Sequence, residues 1–186
     1  MTDPRYERSR RALMQTAIGV FLENPTASMT DIAREAGIGR ATLYRHFKSR
    51  EELVQALALE SLQITNELLQ PIEDLAVDAG SRIQQGLRAV MQAADRFHFL
   101  LLLWNISSQD AAVMKIYQQQ LDSLSSLIDA GKKEGSIDET LDTLWIIYLV
   151  DSLVYAGWWA VREKTLTSEQ AGEHAAKVLF RGIGTQ

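Results

Sequence analysis

The feature that most constrains this chain is a pair of short helical segments joined by a glycine turn, at residues 28–47 (SMTDIAREAGIGRATLYRHF). Ser28 followed by Asp31 is the pattern of a capping box, so a first helix is predicted over 29–36. Gly37 is expected to end it, because glycine adopts a positive φ without a Cβ penalty. A second helix is predicted over 40–47. The pattern therefore predicts a helix-turn-helix.

The outward face of the second helix carries cationic, hydroxyl and aromatic groups. Its residues are Arg40, Ala41, Thr42, Tyr44, Arg45 and His46. Arginine donates two hydrogen bonds to a guanine edge, and the other groups bond to phosphate oxygens, so this face suits a DNA major groove. Upstream, Arg5, Arg8, Arg10 and Arg11 are expected to reach the DNA backbone or minor groove. From these residues alone, the alternative is a helical hairpin with a solvated basic face.

Charge is divided unevenly along the chain. Residues 1–50 contain nine Arg/Lys and five Asp/Glu, and residues 51–186 contain ten and nineteen, within a net charge of −5. A basic N-terminal region followed by an acidic remainder is typical of a protein whose N-terminal region binds the phosphates of DNA. The absence of cysteine excludes disulfides and thiolate metal sites, and the three histidines are far apart. We therefore expect no metal site and no cofactor.

Helical periodicity continues to the C-terminus and strand signals are scarce, so the fold class predicted is all-α with about nine helices. The predicted helices cover, in order, 5–22, 29–36, 40–47, 50–69, 80–95, 97–104, 109–134, 139–163 and 168–183. The prolines at 4, 25 and 71 are expected between helical segments. Ser168 is expected to cap the last helix.

Residues 30–57 (TDIAREAGIGRATLYRHFKSREELVQAL) closely resemble the N-terminal domain of the TetR family of transcription regulators. The resemblance is carried by Ile32-Ala33, Ala36-Gly37, Thr42-Leu43-Tyr44, His46-Phe47-Lys48 and Glu51-Glu52-Leu53. It is detailed over residues 10–57, and beyond them only the number and lengths of helices match. It implies an N-terminal three-helix DNA-binding domain, 1–50, and a C-terminal helical domain for ligand binding and dimerisation, 51–186.

The same resemblance implies roles for the matching positions. Base edges are approached by Arg40 and Ala41, and phosphates by Thr42, Tyr44 and His46, with Tyr44 also touching bases. Thr30 contacts DNA from the start of the first motif helix, and Lys48 or Arg50 anchors the DNA backbone. Gly39 departs from the pattern, since many relatives carry a capping Ser or Thr there, so one phosphate hydroxyl is lost.

The segment 141–162 is apolar nearly all round, and the last helix carries several small residues. In the TetR family the last two helices of each protomer form a four-helix dimer interface, so a homodimer on palindromic operator DNA is expected. The expected interface residues are Val150, Leu153, Gly157, Ala171, Ala175, Val178 and Leu179. The alternative is that both helices only complete the protomer core. Asp151 in mid-segment makes a membrane span unfavourable, so we expect a cytoplasmic protein.

Aromatic and methionine side chains concentrate in the body, and such side chains line apolar ligand pockets. The pocket candidates are Met91, Phe97, His98, Trp104, Met114, Tyr117, Tyr148, Asp151, Tyr155 and Trp158. Aromatics at helical spacing also form ordinary cores, and that alternative stays open for each. A buried carboxylate at Asp151 needs a partner, either Arg88 or Arg96, a group of the dimer mate, or a cationic ligand. We favour a structural role for it.

Together these features predict a sequence-specific DNA-binding regulator, a repressor that a small apolar or aromatic ligand releases from its operator. The alternative is a DNA-binding dimer that is regulated by a partner protein or that has no effector. No phosphate-binding glycine loop, nucleophile elbow or paired metal motif is present in the sequence, so an enzyme is not expected.

Overall fold

The computed structural model describes residues 4–184, with the side chains of residues 9–184, and every regular element in that part is helical. The N-terminal helices are α1 (Pro4–Glu23), α2 (Met29–Glu35), α3 (Arg40–His46) and the long α4 (Arg50–Glu73). The body consists of α5 (Ala79–Val90), a 3-10 turn (Met91–Ala93), α6 (Ala94–Leu102), α7 (Trp104–Ser107), α8 (Ala111–Glu134), α9 (Thr143–Arg162) and α10 (Ser168–Ile183). The all-α prediction is confirmed.

Local hydrogen bonds explain why the two motif helices form where they were predicted. The Ser28 hydroxyl accepts from the Asp31 backbone N–H at 3.3 Å, and the Asp31 carboxylate accepts from the Ser28 N–H at 3.0 Å. This reciprocal pair satisfies two backbone donors at the start of α2. Gly37 has a φ of 63°, which ends the helix and turns the chain toward α3.

The long helix α4 extends further than predicted. Its start is capped by Ser49, whose hydroxyl accepts from the Glu52 N–H at 3.1 Å. It continues through Pro71 to Glu73, so the expectation that this proline lies between helices was wrong. Pro71 stands in the last turn, where its ring removes only one hydrogen bond to the preceding turn, and the helix tolerates the loss.

Elsewhere in the body, several predicted helices begin or end at other residues. The helix predicted over 97–104 is divided into α6 and α7, and the one predicted over 139–163 begins at Thr143. The segment predicted as one helix over 80–95 is broken by the 3-10 turn at Met91–Ala93, and α6 begins at Ala94. The cap of α10 is Thr167 rather than Ser168. The Thr167 hydroxyl accepts from the Gln170 N–H at 3.2 Å, and the Gln170 side chain accepts from the Thr167 N–H at 2.9 Å.

Two clusters of buried apolar side chains hold the described residues together. The first contains the interior of α1–α4 and continues into the body through Phe99, Leu103 and Val113. The second lies among α5, α8, α9 and α10. Helix α4 also packs against α5 and α8, so it belongs to the helix-turn-helix and to the body at once. A displacement of α4 therefore reaches both parts.

Candidate DNA-binding surface and effector cavity

Helix α3 turns one side into the core and presents the other to solvent. Leu43 is fully buried, which fixes the rotation of the helix against α1 and α2. Thr42 and His46 are half-buried at the edge of this packing. The exposed residues are Thr30 on α2, Arg40, Ala41, Tyr44 and Arg45 on α3, and Lys48 after it. The structure thus brings the predicted DNA-facing residues together on one side of the motif.

Arg50 is the exception among the predicted DNA contacts. Its Nε donates to the Ala27 carbonyl at 3.0 Å, and a terminal guanidinium nitrogen donates to the Pro25 carbonyl. The guanidinium also lies 5.1 Å from the centre of the Phe21 ring. These contacts hold the turn between α1 and α2 against the start of α4. The exposed Lys48 is the better placed of the two proposed backbone anchors.

The N-terminal arginines are described only in part. The Arg10 guanidinium lies over the Phe47 ring, 5.0 Å from its centre, so it packs on the end of the motif. Arg11 is exposed on α1. The side chains of Arg5 and Arg8 lie outside the described residues.

A cavity of about 1150 Å³ lies in the body, lined by residues of α4 to α9. Four of the predicted pocket residues line it, namely Phe97, Trp104, Tyr117 and Asp151. The rings of Trp104 and Tyr117 pack against each other with their centres 4.5 Å apart. Most of the remaining wall comes from aliphatic side chains of α4, α5 and α8, such as Leu69, Leu87 and Leu124.

Six predicted pocket residues lie elsewhere. Met91, His98 and Trp158 belong to the protomer core, Tyr148 and Tyr155 are exposed on α9, and Met114 is half-buried outside the cavity wall. His98 stacks on the Trp158 ring at 3.6 Å. The Trp158 indole N–H donates to the Asp95 carboxylate at 2.7 Å. Burial and the nearby Arg162 charge lower the pKa of His98, against the opposing effect of Asp95.

Several polar residues of the wall were not predicted from the sequence, among them Gln120 and Arg82. The Gln120 amide donates to the Asn66 side chain at 2.7 Å and to the Leu62 carbonyl at 2.9 Å, which fixes α8 against α4. The Nε of Arg82 is buried without a hydrogen-bond partner among the described residues. The only sequence signal for either was its place on an amphipathic helix.

Asp151 lines the cavity and makes no hydrogen bond or ion pair with any residue that the structure describes. The two arginines proposed as partners are engaged elsewhere: Arg88 pairs with Glu173 at 2.6 Å and Arg96 with Glu60 at 2.7 Å. The alternative of an arginine partner was therefore wrong. Burial raises the pKa of Asp151 to about 6, because the cavity wall hydrates the carboxylate poorly.

Most of the predicted interface residues are not surface residues of the protomer. Gly157, Ala171, Ala175 and Leu179 are buried within it, where α9 and α10 pack together. A Cβ at Gly157 would approach the Met91 sulfur within 2.5 Å, so this glycine permits close packing inside the protomer. The interface role predicted for these four is therefore corrected. Val150 lines the cavity, Leu153 is half-buried, and Val178 is exposed.

The exposed apolar surface of the body is a stripe along α9. We define the α9 stripe as Leu144, Trp145, Tyr148, Tyr155 and Trp159, each about half exposed. Their spacing places them on one side of the helix, opposite the buried Ile146 and Gly157. Among the described residues, α9 is the one helix long and apolar enough to cross a membrane, and it is less than a third buried over that window.

The described residues contain no group of His, Asp and Glu side chains that could hold a metal ion. What they contain is a helix-turn-helix with an exposed cationic second helix, joined through α4 to a helical body with a cavity. These features define a DNA-binding transcription regulator. Residues 13–57 match the family described as bacterial regulatory proteins, tetR family. The N-terminal part of the chain therefore matches the TetR family.

Similar proteins extend this match beyond the N-terminal domain. The chain is 37% identical to the transcriptional repressor LfrR of Mycolicibacterium smegmatis over 78 residues, which are 41% of each chain. It is 26% identical to the repressor KstR2 of Mycobacterium tuberculosis over 186 aligned residues, covering 94% of this chain and 93% of KstR2.

Solved structures share the whole fold at lower identity. KstR2 of Mycobacterium tuberculosis superimposes with a TM-score of 0.81 at 22% identity, covering 100% of this chain and 98% of KstR2. LfrR from Mycobacterium smegmatis, in complex with proflavine, gives a TM-score of 0.76 at 21% identity, covering 98% and 99%. AibR, in complex with isovaleryl coenzyme A and operator DNA, gives 0.75 at 18% identity, covering 92% and 98%.

Proposed function

We propose that this regulator is a homodimeric repressor that leaves its operator when a small apolar or aromatic molecule enters the cavity. The observation that carries the proposal is that α4 forms one wall of the cavity and is separated from α3 by only three residues. We assign DNA binding to residues 1–50 and ligand binding and dimerisation to residues 51–186. The role requires no catalysis and no cofactor, and we place the protein in the cytoplasm with its DNA.

In this proposal α4 acts as the lever between ligand and DNA. A ligand between α4 and helices α5, α8 and α9 displaces α4, and the shared core of α1–α4 moves with it. Successive major grooves lie about 34 Å apart, so a shift of a few ångströms between two recognition helices loses contacts at one half-site. A preference of a few kcal/mol for the displaced state is enough to change its population substantially.

The DNA contacts are assigned to the exposed side of the motif. We propose that Arg40 and Ala41 meet base edges, that Tyr44 meets bases and phosphates, and that Arg45 and Lys48 bind the backbone. Thr30, Thr42 and His46 complete the phosphate contacts at the edges of this surface. Arg50 is assigned to fold stability, because its guanidinium is engaged with Pro25 and Ala27.

We propose that the partner subunit covers the α9 stripe. An exposed apolar surface that includes two tryptophans and two tyrosines is typical of a subunit interface. Val178 on α10 is exposed and extends the same apolar character to the last helix. A two-fold dimer through α9 and α10 would place two recognition helices on the two halves of a palindromic operator.

The test begins with the DNA. The full chain is used to select binding sequences from a random duplex pool, and the expected result is an inverted repeat with half-sites about one helical turn apart. Release is then measured by fluorescence anisotropy of the selected duplex. The first probes are proflavine and isovaleryl coenzyme A, because LfrR and AibR were crystallised with them. Binding of each probe without DNA is measured by calorimetry.

Proflavine intercalates into DNA, so a cavity variant is needed as the control. Leu121 lines the cavity on α8, and Leu121→Trp is expected to fill part of it. Val77→Trp, in the exposed connection before α5, adds the same ring outside the cavity. If the probe acts through the cavity, it is expected to release the duplex from Val77→Trp and not from Leu121→Trp. Equal release in both variants, or no enriched inverted repeat, would overturn the proposal.

A further inference from the structure

Asp151 places an unpartnered carboxylate in the wall of an otherwise largely apolar cavity. It stands near the middle of α9, with Val150 and Val154 of the same helix also in the wall. No side chain that the structure describes neutralises it by a hydrogen bond or an ion pair. A buried charge without a partner is unfavourable, and a ligand that supplies the opposite charge removes the penalty.

The surroundings of Asp151 complement a positive charge on an aromatic or aliphatic frame. Phe97, Trp104 and Tyr117 line the same cavity, and the faces of aromatic rings attract cations. The negative charge of Asp151 is felt at Tyr117, where it contributes with burial to raising the pKa of the phenol. The two side chains are therefore close enough to act on one bound molecule.

The other charged residues around the cavity are mainly negative, like Asp151. The charged residues in the wall are Glu67, Glu73, Asp122, Asp151 and Arg82. Glu67, Glu73 and Asp122 are exposed at the edge of the cavity, and Asp151 is partly buried. Four carboxylates against one guanidinium make the wall and its edge negative, which raises the local concentration of cations. Arg82 stands in the first turn of α5, next to the end of α4, and its unpartnered Nε is the feature that an anionic ligand would use.

We infer that the effector is an organic cation with an aromatic or apolar frame, whose positive centre pairs with Asp151 near Tyr117. The inference rests on the proposed function, since it specifies the class of molecule that enters the same cavity. The carboxylate contributes the charge recognition, and the aromatic wall contributes apolar contact and cation–π attraction. A neutral molecule of the same shape gains only the second contribution.

The experiment uses three probes that share a three-ring frame and differ in charge. They are 9-aminoacridine, a cation at neutral pH, 9-anthracenemethanol, which is neutral, and anthracene-9-carboxylate, an anion. Their affinities for the full chain are measured by calorimetry without DNA, at about pH 8, where the Asp151 carboxylate is ionised. The variants are Asp151→Asn, which removes the charge at nearly constant shape, and Arg82→Gln, which removes the single cation of the described wall.

The wild-type chain is expected to bind the cation on the order of 10–100-fold more tightly than the neutral probe, as for a hydrogen-bonded charge pair. Asp151→Asn is expected to abolish this preference, and Arg82→Gln to keep or increase it. Thermal unfolding checks that both variants are folded. Asp151→Glu retains the charge and is expected to retain cation preference, which separates loss of charge from loss of packing.

Binding of the cation that is no tighter than binding of the other two probes overturns the inference, whether all three bind or none does. A preference for the anion that Arg82→Gln abolishes overturns it in favour of an anionic effector. The proposed function has a different failure. It fails if a probe that binds the cavity leaves the selected duplex bound, whatever the charge of that probe.

Discussion

The Arg96 guanidinium lies 2.7 Å from a carboxylate oxygen of Glu60 and 3.1 Å from the side-chain oxygen of Gln15. These contacts join α6 of the body to α4 and to α1 of the DNA-binding domain. Both partners of the ion pair are largely buried, with 15% and 23% of their side chains exposed. Because α6 also contributes Phe97 and Leu101 to the cavity wall, these contacts link that wall to α4 and α1.

Arg96→Gln is expected to lower the free energy of unfolding by about 1–3 kcal/mol, since a partly buried carboxylate loses a charged hydrogen-bond donor. Urea denaturation measures the change. The matched control is Arg88→Gln, whose pair with Glu173 is more exposed and is expected to contribute less than about 1 kcal/mol. Equal losses in the two variants would contradict a special role for the buried pair. We also expect Arg96→Gln to weaken the response of DNA affinity to ligand.

DNA recognition is tested at the exposed side of α3. Arg40→Ala is expected to weaken binding by about 1–3 kcal/mol and to relax preference at one base pair per half-site, because a bidentate base contact is lost. Tyr44→Ala and Lys48→Ala are expected to weaken all sequences more evenly, since phosphate contacts carry no base information. Anisotropy titrations with the selected duplex and its single-base variants measure both effects.

The control for the loss of a positive charge is Lys133→Ala, at the far end of α8, where the lysine is exposed. It is expected to leave operator binding unchanged, because it lies outside the helix-turn-helix. If a variant with both Arg40→Ala and Tyr44→Ala binds the duplex as tightly as the wild-type chain, the assignment of DNA binding to α3 is wrong.

The helix-turn-helix was predictable because its signals are local. Ser28, Asp31 and Gly37 specify a cap and a stop within ten residues, and the structure places each in the role that its chemistry indicates. The contacts of Arg50 were not predictable, because its partners lie more than twenty residues earlier in the chain, at Pro25 and Ala27. A contact between distant segments leaves no periodic pattern in the sequence.

The cavity and the exposed α9 stripe were less predictable, because α9 is apolar on nearly every side. In such a helix, hydrophobicity does not indicate which face meets which neighbour, so the rotation must come from packing. Gly157 packs against Met91 inside the protomer, which turns Trp145 and Tyr148 outward and Asp151 toward the cavity. The small residues of α9 and α10 do mark a close contact between two helices. That contact joins α9 to α10 within one chain and not two subunits.

Dimerisation is tested on the α9 stripe. Trp145→Glu places a charge on an exposed apolar surface and is expected to convert a dimer to folded monomers, with loss of operator binding. Sedimentation velocity measures the oligomeric state and circular dichroism the helix content. The control is Val77→Glu, which places the same charge at an exposed valine before α5.

A second comparison separates the stripe from the protomer core. Ala175→Glu puts a carboxylate where the structure has a buried methyl group, so it is expected to unfold the protomer rather than to separate two folded subunits. If Trp145→Glu remains a dimer at concentrations where the wild-type chain is one, the stripe is not the subunit interface.

The last prediction concerns the pH dependence of stability at Asp151. Its pKa is about 6 in the folded protein, above the ordinary value of 3.8, so the folded state binds more protons than the unfolded state between these values. Stability therefore falls as pH rises through this window, and the penalty is complete above about pH 6. A difference of about two pKa units corresponds to at most about 3 kcal/mol.

Asp151→Asn removes this penalty, so the variant is expected to be more stable than the wild-type chain at about pH 8 and to lose that advantage at about pH 4. The carboxylates of Asp31, Asp78 and Asp138 accept local hydrogen bonds, which lower their pKa values, and they titrate in the opposite sense. Because both chains contain these carboxylates, subtracting the two urea-derived free energies at each pH removes their contribution. The same titration of Asp151 predicts that cation binding to the wild-type chain weakens below about pH 6, where the carboxyl group is neutral. A stability difference between variant and wild type that does not change between the two pH values would show that Asp151 does not titrate as a poorly hydrated, unpartnered carboxylate.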